Sequence, residues 1–405
     1  MLHYTEKISH RLLVLLLLLL AFAQTACNKD DDNEPPTINN VRAYLASPDD
    51  SVLTRVGPGT WIVIQGSGFK STKQVYFDGI QATFNPALLA DQNLVVQIPE
   101  GIPFASVPAE QMNSIRVVTE GGETTFQFPI LAPPPVITAA SNEFAYPGET
   151  ITLRGNYLYL IDKITFPGNI DAPEFTATDD GTTVRVKVPA SLTQSGPITV
   201  KTQFGTATSP FGFNDLTGML LDFDGIGTFD WGTNLLSDAT LFPGARGTYA
   251  RFVKEGGIPA NNWSWYEDRA IISKPQDWVA PSELKAPAAN YAMKFEIFVK
   301  EPWSTGVLFI GPPADDNWQY MARYEPWKTT PNFKTTSWTT VTIPLTQFKK
   351  KSAAGVDGGG ESAATVNDIV GNVSEVVKFM FVNDTATPLA KLDLAIDNIR
   401  VVKIQ

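Results

Sequence analysis

Cysteine and histidine are nearly missing from this chain: one and two, respectively, in 405 residues. A single cysteine, Cys27, excludes an internal disulfide framework and paired-thiol sites. His3 and His10 both lie in the first ten residues. Ser-His-Asp, Cys-His and most zinc chemistry therefore lack a histidine in the body of the protein. Positive charge is also short, with 31 Lys and Arg against 42 Asp and Glu for a net charge of −11. A chain without a basic excess matches nucleic-acid phosphates poorly. The apolar run Leu12 to Ala23 falls short of the ~20 residues that a membrane-spanning helix needs. Helical periodicity is equally rare, and Thr365 to Val373 alone reads as a short helix. What is present is a rather neutral chain, 43% hydrophobic and 18% charged, too long for one core and suited to about three domains.

Lys7 and Arg11, then the apolar run, then small residues up to Cys27 form the parts of a secretory signal. Residues 1–26 are read as the signal peptide. Residues 27–35 are read as an acidic tether, because Asn28 to Glu34 holds nothing that could be buried. Cys27 resembles the lipidated cysteine of a lipobox, with Ala26 fitting the pattern and Gln24 standing where Leu is usual. Lys29-Asp30-Asp31-Asp32 resembles the export signal of Bacteroidetes lipoproteins. These two resemblances imply a lipid anchor on the extracellular face of the outer membrane.

An internal repeat of roughly 90 residues follows. The first copy runs Gly59 to Gly66, Gln74 to Gly79, Leu94 to Pro99 and Ser114 to Gly121. The second runs Gly148 to Gly155, Lys163 to Gly168, Thr183 to Pro189 and Pro197 to Gly205. Each segment is a short alternating run closed by Gly or Pro, as in half-buried strands of a sandwich. The copies, placed at 36–131 and 132–214, resemble IPT/TIG immunoglobulin-like domains, with Phe126-Gln-Phe128 and Phe211-Gly-Phe213 as the aromatic endings. Such modules imply spacers, and Pro133-Pro134-Pro135 is a semi-rigid joint. Trp61 is expected in the core of the first copy.

Of nine tryptophans, only Trp61 precedes residue 218. The segment 215–405 alternates apolar and polar runs with few helical periods, which predicts a jelly-roll β-sandwich. The whole chain is thus expected to be all-β, with two tandem immunoglobulin-like sandwiches followed by a jelly roll. Phe295 to Val299, Asn317 to Tyr320, Tyr324 to Trp327 and Trp338 to Phe348 resemble, in that order, the C-terminal domain of B-type surface glycan-binding proteins of Bacteroidetes. These accompany a SusC/SusD-like importer. The resemblance implies a non-catalytic lipoprotein that binds a polysaccharide, a β-linked plant glucan or xyloglucan-like chain, and hands it on.

The residue chemistry agrees. A pyranose has an apolar C–H face and a polar rim, so its site needs flat aromatic rings beside hydrogen-bonding groups. Trp265, Trp327 and Tyr324 lead the candidates for ligand contact, followed by Trp263, Trp303, Trp318 and Tyr320. Glu296, Arg323 and Lys328 are the candidate hydrogen-bonding groups. Trp278 and Trp338, beside prolines or an alternating strand, are expected in the core. Asp222, Asp224, Asp397 and Asn398 would gather if the first and last strands are neighbours, offering oxygen ligands to a structural Ca²⁺. Lys349 to Gly360 reads as a mobile loop. A glycoside hydrolase would need two opposed carboxylates, and no spacing among Glu267, Asp268, Glu296, Asp315, Asp316 and Glu325 singles out a pair. A surface adhesin or assembly protein that presents the aromatics to another protein is the remaining alternative.

Overall fold

The structure, a computed structural model, describes residues 34–265, 268–312, 319–371 and 374–404. Cys27 and Trp318 lie outside them. The chain forms two compact units, Met1–Pro133 and Pro134–Gln405.

The described part of the first unit is a sandwich of two antiparallel four-stranded sheets. One has the order Val52–Leu53, Thr37–Ala43, Trp61–Ser67, Asn93–Gln97; the other Ile80–Ala82, Thr72–Phe77, Ser114–Thr119, Gly122–Gln127. Ile62, Ile64, Leu94 and Val96 point inward and are fully buried. The intervening residues face solvent, as the period of two requires. Trp61 is among those outward residues, 42% exposed, which corrects its expected place in the core. The hairpin after Phe77 is closed by Asp78 and Gly79, both at positive φ. A two-residue turn of this hand matches strand twist, and it explains the Asp-Gly pair.

The second unit repeats the sandwich with sheets Phe175–Ala177, Thr183–Lys187, Thr150–Asn156, Val136–Ala140 and Ile170–Asp171, Ile161–Phe166, Gly196–Thr202, Gly205–Phe213. A larger sandwich follows. Its six-stranded sheet is built on the long closing strand Leu392–Lys403, flanked by Tyr249–Lys254 and Tyr291–Val299. Its five-stranded sheet has the order Phe229–Gly232, Ala270–Ser273, Lys378–Val382, Val307–Gly311, Ala322–Tyr324. Side chains such as Phe295, Ile297, Leu308, Ile310, Phe379, Phe381 and Leu394 fill the space between these sheets. Trp278 is buried there, and Trp338 is buried with Phe242, Tyr249 and Phe298 on the far side of the six-stranded sheet. A short helix, Val366–Val370, is capped by a reciprocal Thr365–Asp368 box.

A buried ionic network joins the two sandwiches of this unit. Arg400 Nη2 donates to Glu143 Oε2 at 2.8 Å, and Arg400 Nη1 donates to Glu296 Oε2 at 2.8 Å. Lys294 Nζ donates to Glu143 Oε1 at 2.5 Å, and Thr340 Oγ1 to Glu296 Oε1 at 2.7 Å. Two carboxylates thus face two cations, so each buried charge is matched. Glu296 is 1% exposed. It is a structural partner of Arg400 and not the glycan contact its aromatic neighbourhood led us to expect.

Candidate functional site

The outer face of the five-stranded sheet carries an uncommon set of side chains. Its inward residues belong to the core, and the residues between them, Trp231, Ile272, Lys378, Met380, Phe309 and Arg323, point the other way. The strand register sets them in two rows. One runs Trp231, Ile272, Lys378; the other runs Ala270, Met380, Phe309, Arg323. Four steps between strands, at about 4.8 Å each, make a face about 19 Å across. That is enough for an oligosaccharide lying across the strands.

The chain from Pro259 to Trp265 is laid over this face. Asn262 exchanges backbone hydrogen bonds with Asn383 at 2.8 and 2.9 Å, and Asn261 N donates to Thr385 O at 2.8 Å. Asn383, wholly buried, donates through Nδ2 to Pro259 O and Thr387 O and so fixes both chains. The indole of Trp263 then stacks on Phe309, with ring centroids 6.1 Å apart and planes 17° apart. Trp265 meets Trp231 edge to face at 5.8 Å and 86°, and the Lys378 ammonium lies 4.1 Å from its ring centroid. Trp231 and Trp263 remain 37% and 49% exposed. Large aromatic rings held in place yet open to water have an unfilled contact face.

At the far edge Arg323 stacks on Phe309, 4.9 Å from the ring centroid. Its guanidinium donates to both Glu325 oxygens at 3.0 Å, to Asp384 at 2.5 Å and to Asp357 O at 3.1 Å. Burial pulls the Arg323 guanidinium down, but the hydrogen bonds it donates to Glu325 and Asp384 outweigh it and hold it above its ordinary value. Burial likewise raises Glu325, and hydrogen bonds from Arg323 and Lys328 overcome this and hold the carboxyl below its ordinary 4.5. The segment expected as a mobile loop is hydrogen-bonded here. Lys349 pairs with Met321 and Ser362, and Ser352 N donates to Val356 O at 2.8 Å.

Trp263, Trp265 and Arg323 are thus brought together, and several other expected contacts are not. Tyr324 alternates with Arg323 and so points inward, edge-on to Phe295, Trp303 and Phe333. Burial pushes its phenol well up. Trp303 is 1% exposed in the same core. Trp327 packs against that core and donates Nε1–H to Gly306 O at 2.7 Å, and Lys328 is held near it and on Glu325. Tyr324, Trp303 and Trp327 therefore support the sandwich and do not belong to the open face. Tyr320 is half-buried at the edge, beside Lys350.

The expected metal ligands are engaged otherwise. Asp222 Oδ1 accepts the backbone N–H groups of Asp224, Gly225 and Ile226, and Asp224 Oδ1 accepts that of Thr248. Asp397 is buried, and its carboxyl is pushed well above the usual range by desolvation. Among the described residues no group of three or more acidic, histidine or cysteine side chains could hold a metal ion. The calcium expectation is corrected accordingly: these carboxylates close turns or sit in the sheet.

Trp231, Phe309 and Lys378 were missed in the sequence reading. Phe229-Asp-Trp-Gly232 is an alternating fragment whose tryptophan stands before the aromatic-rich stretch. Lys378 is the single charge in Val376-Val-Lys-Phe-Met-Phe-Val382. A lone polar residue at an outward position of such a strand is the signal that was available.

Residues 213–403 match the family "Surface glycan-binding protein B xyloglucan binding domain", and residues 51–128 match the IPT/TIG domain. An IPT/TIG domain-containing protein of Bacteroides ovatus is 22% identical over 408 residues, covering 75% of this chain and 81% of that one. Among solved structures, the surface glycan-binding protein PbSGBP-B of Prevotella bryantii is 23% identical, with TM-score 0.71 over 91% of this chain and 99% of that one. SGBP-B from a complex xyloglucan utilization locus in Bacteroides uniformis is 21% identical, with TM-score 0.53 and the same coverages. The chain is all-β, its residues 213–403 match the xyloglucan-binding domain of surface glycan-binding protein B, and an IPT/TIG module precedes them.

Proposed function

We propose that the chain is a non-catalytic binding protein for a neutral β-linked polysaccharide of the glucan or xyloglucan type, held across Trp231, Trp263 and Trp265. The observation that carries this reading is the grouping of three indoles on one sheet face, two of them open to solvent. The rings would take the C–H faces of successive sugars, and Arg323 with its carboxylate partners would meet hydroxyls at one end. Stacked rings worth on the order of 1 kcal/mol each give weak, multi-contact binding. Such binding suits a ligand that must be passed on. Glu325 and Asp384, at the edge of the face, both accept hydrogen bonds from Arg323, which favours a structural role for them over that of a hydrolytic pair. The family suggests capture at the cell surface, and the signal-like N-terminus with Cys27 supports a lipid anchor in the outer membrane and delivery to a SusC/SusD-like importer.

Native electrophoresis in gels containing xyloglucan, β-glucan, xylan or mannan tests the reading. Retardation by one or more of the glucans, reduced in Trp263→Ala and Trp231→Ala and without release of reducing ends, is the expected result. Indifference to every neutral glycan would overturn it, and reducing-end release would make it an enzyme.

A further inference from the structure

The two immunoglobulin-like modules share a register, which makes the second a control for the first. In the first, Trp61 pairs with Gln97, Val63 with Val95 and Gln65 with Asn93 across the outer face of the sheet. In the second, the same pairs are Thr150 with Lys187, Thr152 with Arg185 and Arg154 with Thr183. The second module forms the same sheet with hydroxyls and cations on this face, so the fold does not require a ring there. The first module has Gln97, Val95 and Gln65 where the second has Lys187, Arg185 and Arg154, and Trp61 where the second has Thr150.

Tyr44 extends the face. Its ring lies 6.2 Å from that of Trp61 with planes 43° apart, and the two are 50% and 42% exposed. Beside them Arg42 is neutralised by Asp50 at 2.9 Å. Gln97 and Gln65 spend one donor each, on Gly59 O and on Asn93 Oδ1, so amide groups remain for a ligand.

We infer that this face is a second glycan-binding surface, with Trp61 and Tyr44 as the rings and Gln97 and Gln65 as the hydrogen-bonding rim. A ring-and-amide surface whose Arg42–Asp50 pair is internally matched suits a neutral sugar chain: rings take the C–H faces, and amides both donate to and accept from hydroxyls. The inference rests on the reading that the ligand of this chain is a neutral polysaccharide. A polymer can then engage two surfaces, and its apparent affinity exceeds that of either alone.

The full chain carrying Trp231→Ala and Trp263→Ala isolates the second surface, since both residues are exposed and their loss spares the core. This variant should keep a residual retardation in xyloglucan or β-glucan gels, and adding Trp61→Thr, the residue of the second module, should abolish it. In the otherwise unaltered chain, Trp61→Thr should weaken binding to the polymer about tenfold. A double variant with no residual retardation, or a Trp61→Thr chain that binds polymer like its parent, overturns the inference while leaving the principal site standing. So does a Trp61→Thr change confined to the sedimentation coefficient, which would make the face a protein contact. A parent chain that binds no neutral glycan sinks both readings.

Discussion

At the scale of single residues, exposure separates tryptophans that look alike in the sequence. Trp263 rests on Phe309 with one face to solvent, whereas Trp327 has its N–H tied to Gly306 and Trp303 is enclosed. Trp263→Ala is expected to lower glycan affinity about tenfold, a loss near 1.4 kcal/mol, with no change in melting temperature beyond a few degrees. Tyr324→Phe should leave affinity unchanged, because its ring faces the core; calorimetric titration of the two variants checks both. Lys378→Met tests the support under Trp265. Removing the ammonium from beneath the indole should weaken binding without loss of fold, read as a shifted tryptophan emission together with a lower association constant.

At the scale of elements, the strand Ala322–Tyr324 presents Arg323 to the site and its neighbours to the core, so one ion-pair cluster edges the face. The Glu325 carboxyl is held below its ordinary value of 4.5 despite burial. A depressed carboxylate stabilises the fold at neutral pH and loses that contribution as pH falls through its folded-state value. Glycan affinity should therefore be flat from pH 8 to 5 and fall below about 4.5, with Glu325→Gln removing the acid limb; titrations across this range decide it. Asp397 has the opposite sign. Its folded-state value is raised by burial, so it favours the fold at acid pH and that support is lost as pH rises. Asp397→Asn should raise the melting temperature at pH 7.5 and lose that advantage near pH 3.5.

At the scale of the whole molecule, the binding sandwich is joined to the module before it by Glu143, Lys294, Glu296 and Arg400. Arg400→Met leaves the buried Glu296 without its cation and should cost about 3 to 5 kcal/mol, seen as a large fall in the denaturation midpoint of the Pro134–Gln405 unit. The all-β class, the order of the modules and the likeness of the C-terminal segment to a glycan-binding domain were legible because they rest on period-two alternation, Gly/Pro punctuation and motif order, all local along the chain. So was the burial of Trp278 and Trp338, whose neighbours demanded it. The site was legible only in part. Trp263 and Trp265 were candidates because of their polar company, while Trp231, Phe309 and Lys378, which share the proposed face with them, come from three other strands. Glu296, Trp303, Tyr324 and Trp327 shared the same mixed surroundings and yet turned inward. By itself the sequence determined which residues alternate and therefore which could share a face. Only the tertiary structure decided which strands are neighbours and which face stays wet, because cross-strand register and the packing of one sheet on another are set by contacts between residues far apart in the chain.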